Sequence, residues 1–232
     1  MLILKNLDKL ESAIGVKFSS KKLLQQAFIH KSYFNEHSHS DLEHNERLEF
    51  LGDAVLELAV TKYIYENYPN PEGELTTWRA SLVNSKMLAK IANRLGLGDY
   101  LLLSKGEARD IGRARQFILA NTFEALIGSL YLDQGFKNVR EFIKKNLIIE
   151  LPNILEKKLY CDPKSFFQEE AQKKVGITPS YEVLGESGPD HDKQFIVGVF
   201  LGEKIIAKGE GPSKQIAQEK AAEAGLKKKK WQ

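Results

Sequence analysis

From Leu23 to about Leu159 the apolar residues recur mostly at helical spacing, with Leu82, Leu88, Ile91, Ala92 and Leu95 a representative stripe. Pro69-Asn70-Pro71, Gly96-Leu97-Gly98 and Gly135 punctuate it. The spacing predicts an all-α first domain over residues 1–158. Around Lys157 to Asp162 the pattern lapses, and Asp162-Pro163 reads as a helix start with proline at its first position. Beyond it a helical segment, Lys164 to Val175, precedes period-two runs at Ser180 to Leu184, Phe195 to Leu201 and Lys204 to Gly209. An alanine-rich helix, Ser213 to Lys229, follows. The second domain, residues 163–232, is therefore expected to be a small α+β unit of order α-β-β-β-α.

Composition changes this picture little. With 232 residues, 42% of them apolar, the chain can build two unequal cores. The formal charge is only +3, and residues 163–232 hold 12 Lys and Arg against 10 Asp and Glu. Bulk charge argues for no partner, so a nucleic-acid surface would have to come from local arrangement. The run Lys227-Lys228-Lys229-Lys230 could supply one, or it could be a solvated tail. Cys161 is the single cysteine, so no internal disulfide is possible. The early charges of the first eight residues do not suit a signal peptide, and no apolar stretch is long enough for a bilayer. A reduced, cytoplasmic protein with no membrane role is expected. No period of repeat length recurs.

The candidate chemistry lies in carboxylates. Asn45 to Leu58 reads as a helix with Asn45 as its cap, and Glu46, Glu49 and Asp53 fall at i, i+3 and i+7. At about 100° per residue they lie within roughly 60° of one another. Such a stripe can be a solvated face, yet like charges at this spacing repel and no alternating lysines relieve them. A second acid, Glu124, sits in Gln116 to Leu132, where apolar residues surround the helix almost completely. That helix should be buried, and Glu124, three residues after Asn121, then needs a donor or a cation. A divalent metal shared by both helices answers both demands. Hard oxygen donors suit Mg²⁺ or Mn²⁺, and no zinc-type spacing of Cys and His is present.

The string Glu46-Arg47-Leu48-Glu49-Phe50-Leu51-Gly52-Asp53-Ala54-Val55-Leu56 closely resembles the signature of the ribonuclease III family. The resemblance continues, in family order, through Ala27 to Ser32, Glu72-Gly73-Glu74 leading to Trp78–Asn84, and Leu119 to Gly128. It implies an all-α endonuclease domain in which Glu49, Asp53 and Glu124 hold the catalytic metal, Asp53 and Glu124 being the catalytic pair. It also implies that Glu46 and Glu72 serve a second metal or the RNA backbone, and that Phe50 lies in a homodimer interface. The expected cofactor is Mg²⁺, with Mn²⁺ able to substitute, and no organic cofactor is expected. The implied reaction cuts both strands of double-stranded RNA, leaving 5′-phosphate and 3′-hydroxyl ends with two-nucleotide 3′ overhangs. Processing of ribosomal and other RNA is the role the family suggests. One departure is Asn121, where most of the family has Asp; an amide oxygen can still ligate a cation but brings no negative charge, so metal affinity should drop.

The C-terminal run Gln168-Glu169 with Gln172, then Gly188 to Phe195, then Gly211-Pro212-Ser213-Lys214 leading to Ala217 and Ala221-Ala222, resembles a double-stranded-RNA-binding domain. Such a domain reads A-form shape across two minor grooves, with the last helix's N-terminus on the phosphates between. Gln168, Glu169 and Gln172, His191, and Ser213 with Lys214 match the three contact regions. The second and third lysines usual in the last helix are Gln215 and Gln218 here, which leaves fewer charges for phosphate and predicts weak, salt-sensitive binding by this domain alone. Arg109, Arg113 and Arg115 could track an RNA backbone or belong to a solvated loop. Two other readings stand beside the enzyme: a double-stranded-RNA-binding protein with an impaired nuclease fold, supported by Asn121, and a ribonucleoprotein component.

Overall fold

A computed structural model describes residues 4, 6–37, 42–109, 112–160, 162–189 and 193–231. His191 and Cys161 lie outside the described residues. The chain divides into two compact units, residues 1–155 and 156–232.

The first unit is helical. It runs α1 (Leu7–Ile14), α2 (Lys21–Ala27), a 3₁₀ turn (Lys31–Asn35), α3 (Glu46–Asn67), α4 (Glu72–Leu82), α5 (Ser85–Arg94), α6 (Lys105–Arg109), α7 (Arg113–Asn146) and α8 (Leu151–Glu156). Short 3₁₀ turns lie at Leu97–Tyr100 and Ile148–Glu150. Helix α1, which buries Leu7, Leu10 and Ile14, precedes the Leu23 at which the helical spacing becomes legible. The stripe Leu82 to Leu95 belongs to two helices rather than one. They part at Val83-Asn84, where the Asn84 side chain accepts the Met87 N–H (2.9 Å) and caps α5. Gly135, with φ 76° and ψ 174°, kinks α7 in a conformation open to glycine.

The core is organised by α3 against α7. Helix α3 buries Leu48, Gly52, Val55, Leu56, Ala59, Val60 and Ile64. The first half of α7 is buried from Ile118 to Leu130 except at Asn121 and Glu124. At the crossing the two backbones touch. A Cβ on Gly52 would lie 1.7 Å from the Glu124 carbonyl oxygen, and one on Gly128 would lie 2.1 Å from that of Leu48. No side chain fits between them.

The second unit comprises α9 (Pro163–Val175), β1 (Ser180–Ser187), β2 (Gln194–Leu201), β3 (Lys204–Gly211) and α10 (Lys214–Lys229). Its antiparallel sheet has the order β1-β2-β3. Asp162 caps α9 by accepting the Ser165 N–H (2.9 Å), with Pro163 at the first position. Phe167 and Ala171 of α9 and Ala221, Ala222 and Leu226 of α10 cover Val199, Leu201 and Ile206 of the sheet. Trp231 closes this core against Phe167, with ring centroids 5.3 Å apart. Lys227, Lys228 and Lys229 thus form the last turn of α10, where cations suit the helix dipole, and the Lys229 ammonium lies over the Trp231 ring. The lysine run is the end of a packed helix and not a solvated tail.

Substituting alanine at Gly52 or Gly128 tests the crossing. In an unhindered helix Gly→Ala stabilises by about 1 kcal/mol. At either of these positions overpacking is expected to reverse the sign and destabilise by about 3 kcal/mol or more, read as a lower urea midpoint. An unchanged or higher midpoint would refute the close approach.

Candidate metal centre and nucleic-acid face

The start of α3 is pinned from behind. The Asn45 backbone N–H donates to Ile29 (2.8 Å) and its side-chain amide to the Ala27 carbonyl (3.2 Å). Asn45 therefore precedes α3 as expected, but it does not cap it: its side-chain N–H is turned to the end of α2, and its side-chain oxygen accepts no N–H of α3. The adjoining segment is tied down by His30 N–H to Leu102 (3.1 Å) and by Ser104 N–H to the Ser32 hydroxyl (3.1 Å). His30 Nδ1 lies 2.8 Å from that hydroxyl, a pairing that nucleophilic catalysis could use. Ser32 is buried, however, and serves as an acceptor for the chain around it. It is a structural post.

This scaffold delivers Lys31 to the acidic stripe. Its ammonium pairs with Glu46 at 2.9 Å, with His44 Nδ1 3.7 Å from the same carboxylate. The bond to Lys31 holds Glu46 below the usual carboxylate range. The sequence reading missed this lysine, although it lies within the quoted segment Ala27 to Ser32. Glu46 is relieved; Glu49, one turn deeper along α3, is not.

Glu49 is half-buried and its carboxyl is pushed up, first by burial and then by the Glu46 charge, with the facing Asn121 amide opposing the shift. Glu124 is also partly buried rather than wholly enclosed. Its pKa is pushed up to about 8 by burial, then by the charges of Asp53 and Glu49. The Gly52–Gly128 contact thus draws Glu49 and Asp53 of α3 together with Asn121 and Glu124 of α7. Glu72 stands exposed in the first turn of α4, with no hydrogen bond or ion pair to these acids among the described residues.

Other acids of this unit behave differently. Burial raises Glu11, but the Lys21 ammonium and the Phe18 N–H outweigh it and leave it lowered. Lys90 and Arg94, both at 2.7 Å, hold Glu150 down. Asp133 is raised by burial and brought lower by the N–H groups of Ser20 and Ser19. Glu124 has no such donor among the described residues. An unpartnered, partly buried carboxylate beside two others is costly as an anion. Its surroundings consist of hard oxygen donors, the set that suits a divalent cation such as Mg²⁺ or Mn²⁺. Among the described residues no three His, Cys, Asp or Glu side chains already stand around one point.

In the second unit Gln168, Glu169 and Gln172 occupy the exposed face of α9, opposite Phe167 and Ala171. The Gln172 amide donates to the Thr178 hydroxyl (3.2 Å). The Ser213 hydroxyl caps α10 by accepting the Ile216 N–H (3.2 Å). Lys214 projects from the first residue of that helix over the Phe195 ring, 4.0 Å from Glu186, which Lys193 engages more closely at 2.8 Å. Exposed amides on one helix and a cation at the N-terminus of another are groups that meet hydroxyls and phosphates. Of the three arginines, Arg115 donates to the Gly98 carbonyl (3.1 Å) and Arg113 lies over Phe117.

Without divalent ions, the folded chain holds the Glu124 proton at pH values where the unfolded chain has released it. This contribution to stability is complete below about 4.5 and is lost as pH rises through about 8. Urea unfolding of the natural chain in chelator should therefore weaken over that window relative to Glu124→Gln, which stays neutral. Parallel pH profiles for the two would show that Glu124 is not an unrelieved acid.

Comparison with known proteins agrees with both units. Residues 20–151 match the family model described as Ribonuclease-III-like, and residues 163–229 match that of the double-stranded RNA binding motif. The chain is 44% identical to ribonuclease 3 of Nitratiruptor sp. over 97% of each protein. It is 46% identical to ribonuclease 3 of Bacillus cereus over 96% of this chain and 91% of the relative. A crystal structure of the nuclease domain of ribonuclease III from Campylobacter jejuni superposes with a TM-score of 0.54 at 42% identity, covering 62% of this chain and 97% of that one. A second structure of that domain, described as flexible in a region involved in dimer formation, matches with the same score and identity. No helix among the described residues is long and apolar enough to cross a membrane. By the match of more than half its length and by such relatives, the chain belongs to the ribonuclease III family.

Proposed function

We propose that this chain is a divalent-metal-dependent endoribonuclease that cleaves double-stranded RNA. The observation that carries the reading is the set of oxygen donors Glu49, Asp53, Asn121 and Glu124 at a backbone-to-backbone helix crossing, where burial raises the carboxyls of Glu49 and Glu124. The same chain carries a double-stranded RNA binding motif. Mg²⁺ is the ion proposed, with Mn²⁺ as substitute. Bound there, it would supply the Lewis acidity that makes water a nucleophile at neutral pH and would offset charge on the phosphodiester.

The chain's own residues do the rest. Glu49, Asp53 and Glu124 provide negative charge, and Asn121 provides a neutral oxygen that lowers repulsion but also lowers affinity for a cation. Glu46, balanced by Lys31, takes an outer role with Glu72 at a second metal or the RNA backbone. Gln168, Glu169, Gln172, His191, Ser213 and Lys214 hold the duplex. Cleavage is proposed to give 5′-phosphate and 3′-hydroxyl ends with two-nucleotide 3′ overhangs, in ribosomal and other precursor RNA. A reducing cytoplasm suits a chain with one cysteine.

A homodimer is part of this reading. Helix α3 is apolar on a second side, where Phe50, Leu58 and Tyr65 are 83%, 57% and 77% exposed. Large apolar groups in such an arrangement mark a contact surface, and a second copy of this chain is the occupant proposed. Sedimentation should show a dimer that Phe50→Asp converts to monomer; a natural chain that is monomeric at micromolar concentration would exclude it.

Cleavage of a perfect RNA duplex in Mg²⁺ and in Mn²⁺ tests the activity. The natural chain should leave two-nucleotide 3′ overhangs, Glu124→Ala should lose cleavage by at least about a hundredfold, and Asn121→Asp should cleave at lower metal concentration. Asn121 is the one observation that favours the binding-only reading. A natural chain that binds the duplex but never cuts it, while Asn121→Asp does, would establish that reading instead.

A further inference from the structure

Helix α10 carries glutamine at positions 215 and 218, and its first turn offers phosphate only the charge of Lys214. A cation nevertheless stands beside it. Lys164, in the first turn of α9, donates from Nζ to the Gln218 side-chain oxygen at 2.6 Å, across 54 residues of sequence. The same ammonium lies 5.1 Å from the centre of the Tyr181 ring. Two partners therefore hold it in place, on a helix turn adjacent to Lys214. A lysine ammonium has three N–H groups, and the Gln218 oxygen uses one.

The ammonium opens into a shallow cleft between α9 and α10. Gln168, Ser165 and Gln215 line this cleft, and Lys164 is the sole cation among its lining residues. Asp162 and Glu219 border it as well, turned by neutral donors that leave their charge in place: Asp162 accepts from the Ser165 N–H and hydroxyl, Glu219 from the Gln215 amide at 3.0 Å. Tyr181 lines the same cleft, and its buried hydroxyl has no hydrogen-bond partner in the protein among the described residues. The cleft thus joins the exposed amide face of α9 to the N-terminal turn of α10, with a preorganised positive charge at the junction.

We propose that Lys164 is a phosphate-binding residue for duplex RNA, its charge presented through Gln218 at the place on α10 where a lysine would otherwise project. This rests on the duplex-binding reading of the second unit. Lys164 contacts a backbone phosphate between the segment met by Gln168 and the segment met by Lys214. It contributes affinity without base preference, as phosphate contacts do.

Salt dependence separates this role from a purely structural tie between the helices. Binding of the full chain to a perfect RNA duplex is measured from low to physiological salt, without divalent ions so that the RNA stays intact. The natural chain should lose affinity steeply with salt. Lys164→Gln, which can still hydrogen-bond Gln218, should bind roughly three- to tenfold more weakly and reduce the slope of log affinity against log salt by about one. Lys164→Gln combined with Gln218→Lys should restore the slope. If Lys164→Gln lowers only the thermal midpoint and leaves the slope unchanged, Lys164 is a structural tie and the proposal fails while duplex binding stands. If the natural chain binds no duplex at any salt, the reading beneath the proposal fails with it.

Discussion

Two helix backbones in contact at Gly52 and Gly128 leave no room for a side chain, and the rest of the first unit is arranged around that fact. Close approach sets which residues of α3 and α7 can meet. Residues three or four positions from a contact lie one turn away on the same face. Asp53 follows Gly52 directly, Glu49 precedes it by three, and Glu124 precedes Gly128 by four. A wider crossing would let water between the carboxylates and screen them. At contact distance Glu49 and Glu124 are shielded from water, and that burial first, then the charges of neighbouring acids, raises both carboxyls.

The same physics distinguishes these acids from the others of the unit. Glu11, Glu150 and Asp133 are satisfied by lysines, an arginine or backbone N–H groups, and all are held below the usual range. Natural structures seldom leave a buried charge unmatched. Where one is unmatched, a ligand of opposite sign is the economical account. The second unit balances charge differently. Its last helix carries glutamine at positions 215 and 218, and a neighbouring helix sets the Lys164 ammonium against the Gln218 side-chain oxygen.

Much of this was legible in the sequence. Helical spacing with proline and glycine breaks located most of the first unit, and period-two runs located β1, β2 and β3 within a few residues. The acidic stripe and Glu124 announced themselves as charges in places where apolar pattern leaves little room. What escaped was set by distance in space. Glycine inside a helix can be a weakness or a contact point, and pattern alone does not separate these; Gly52 and Gly128 lay in the quoted motifs without a role. Lys31 and Lys164 matter through partners that only the fold brings near. Asn45 looked like a cap because caps are local, whereas its side chain serves a contact 18 residues away. Helix α1 was missed because its apolar positions span only two turns.

The most direct test of the metal centre is Mn²⁺ binding to the RNA-free chain, followed by paramagnetic resonance at neutral pH, in the natural protein and in Glu124→Gln. Saturable binding that Glu124→Gln weakens by at least about tenfold is the expected result, since the variant removes a charged ligand while keeping its shape. Equal Mn²⁺ affinity in both proteins, or none in either, would contradict a divalent-cation site at the Gly52–Gly128 crossing.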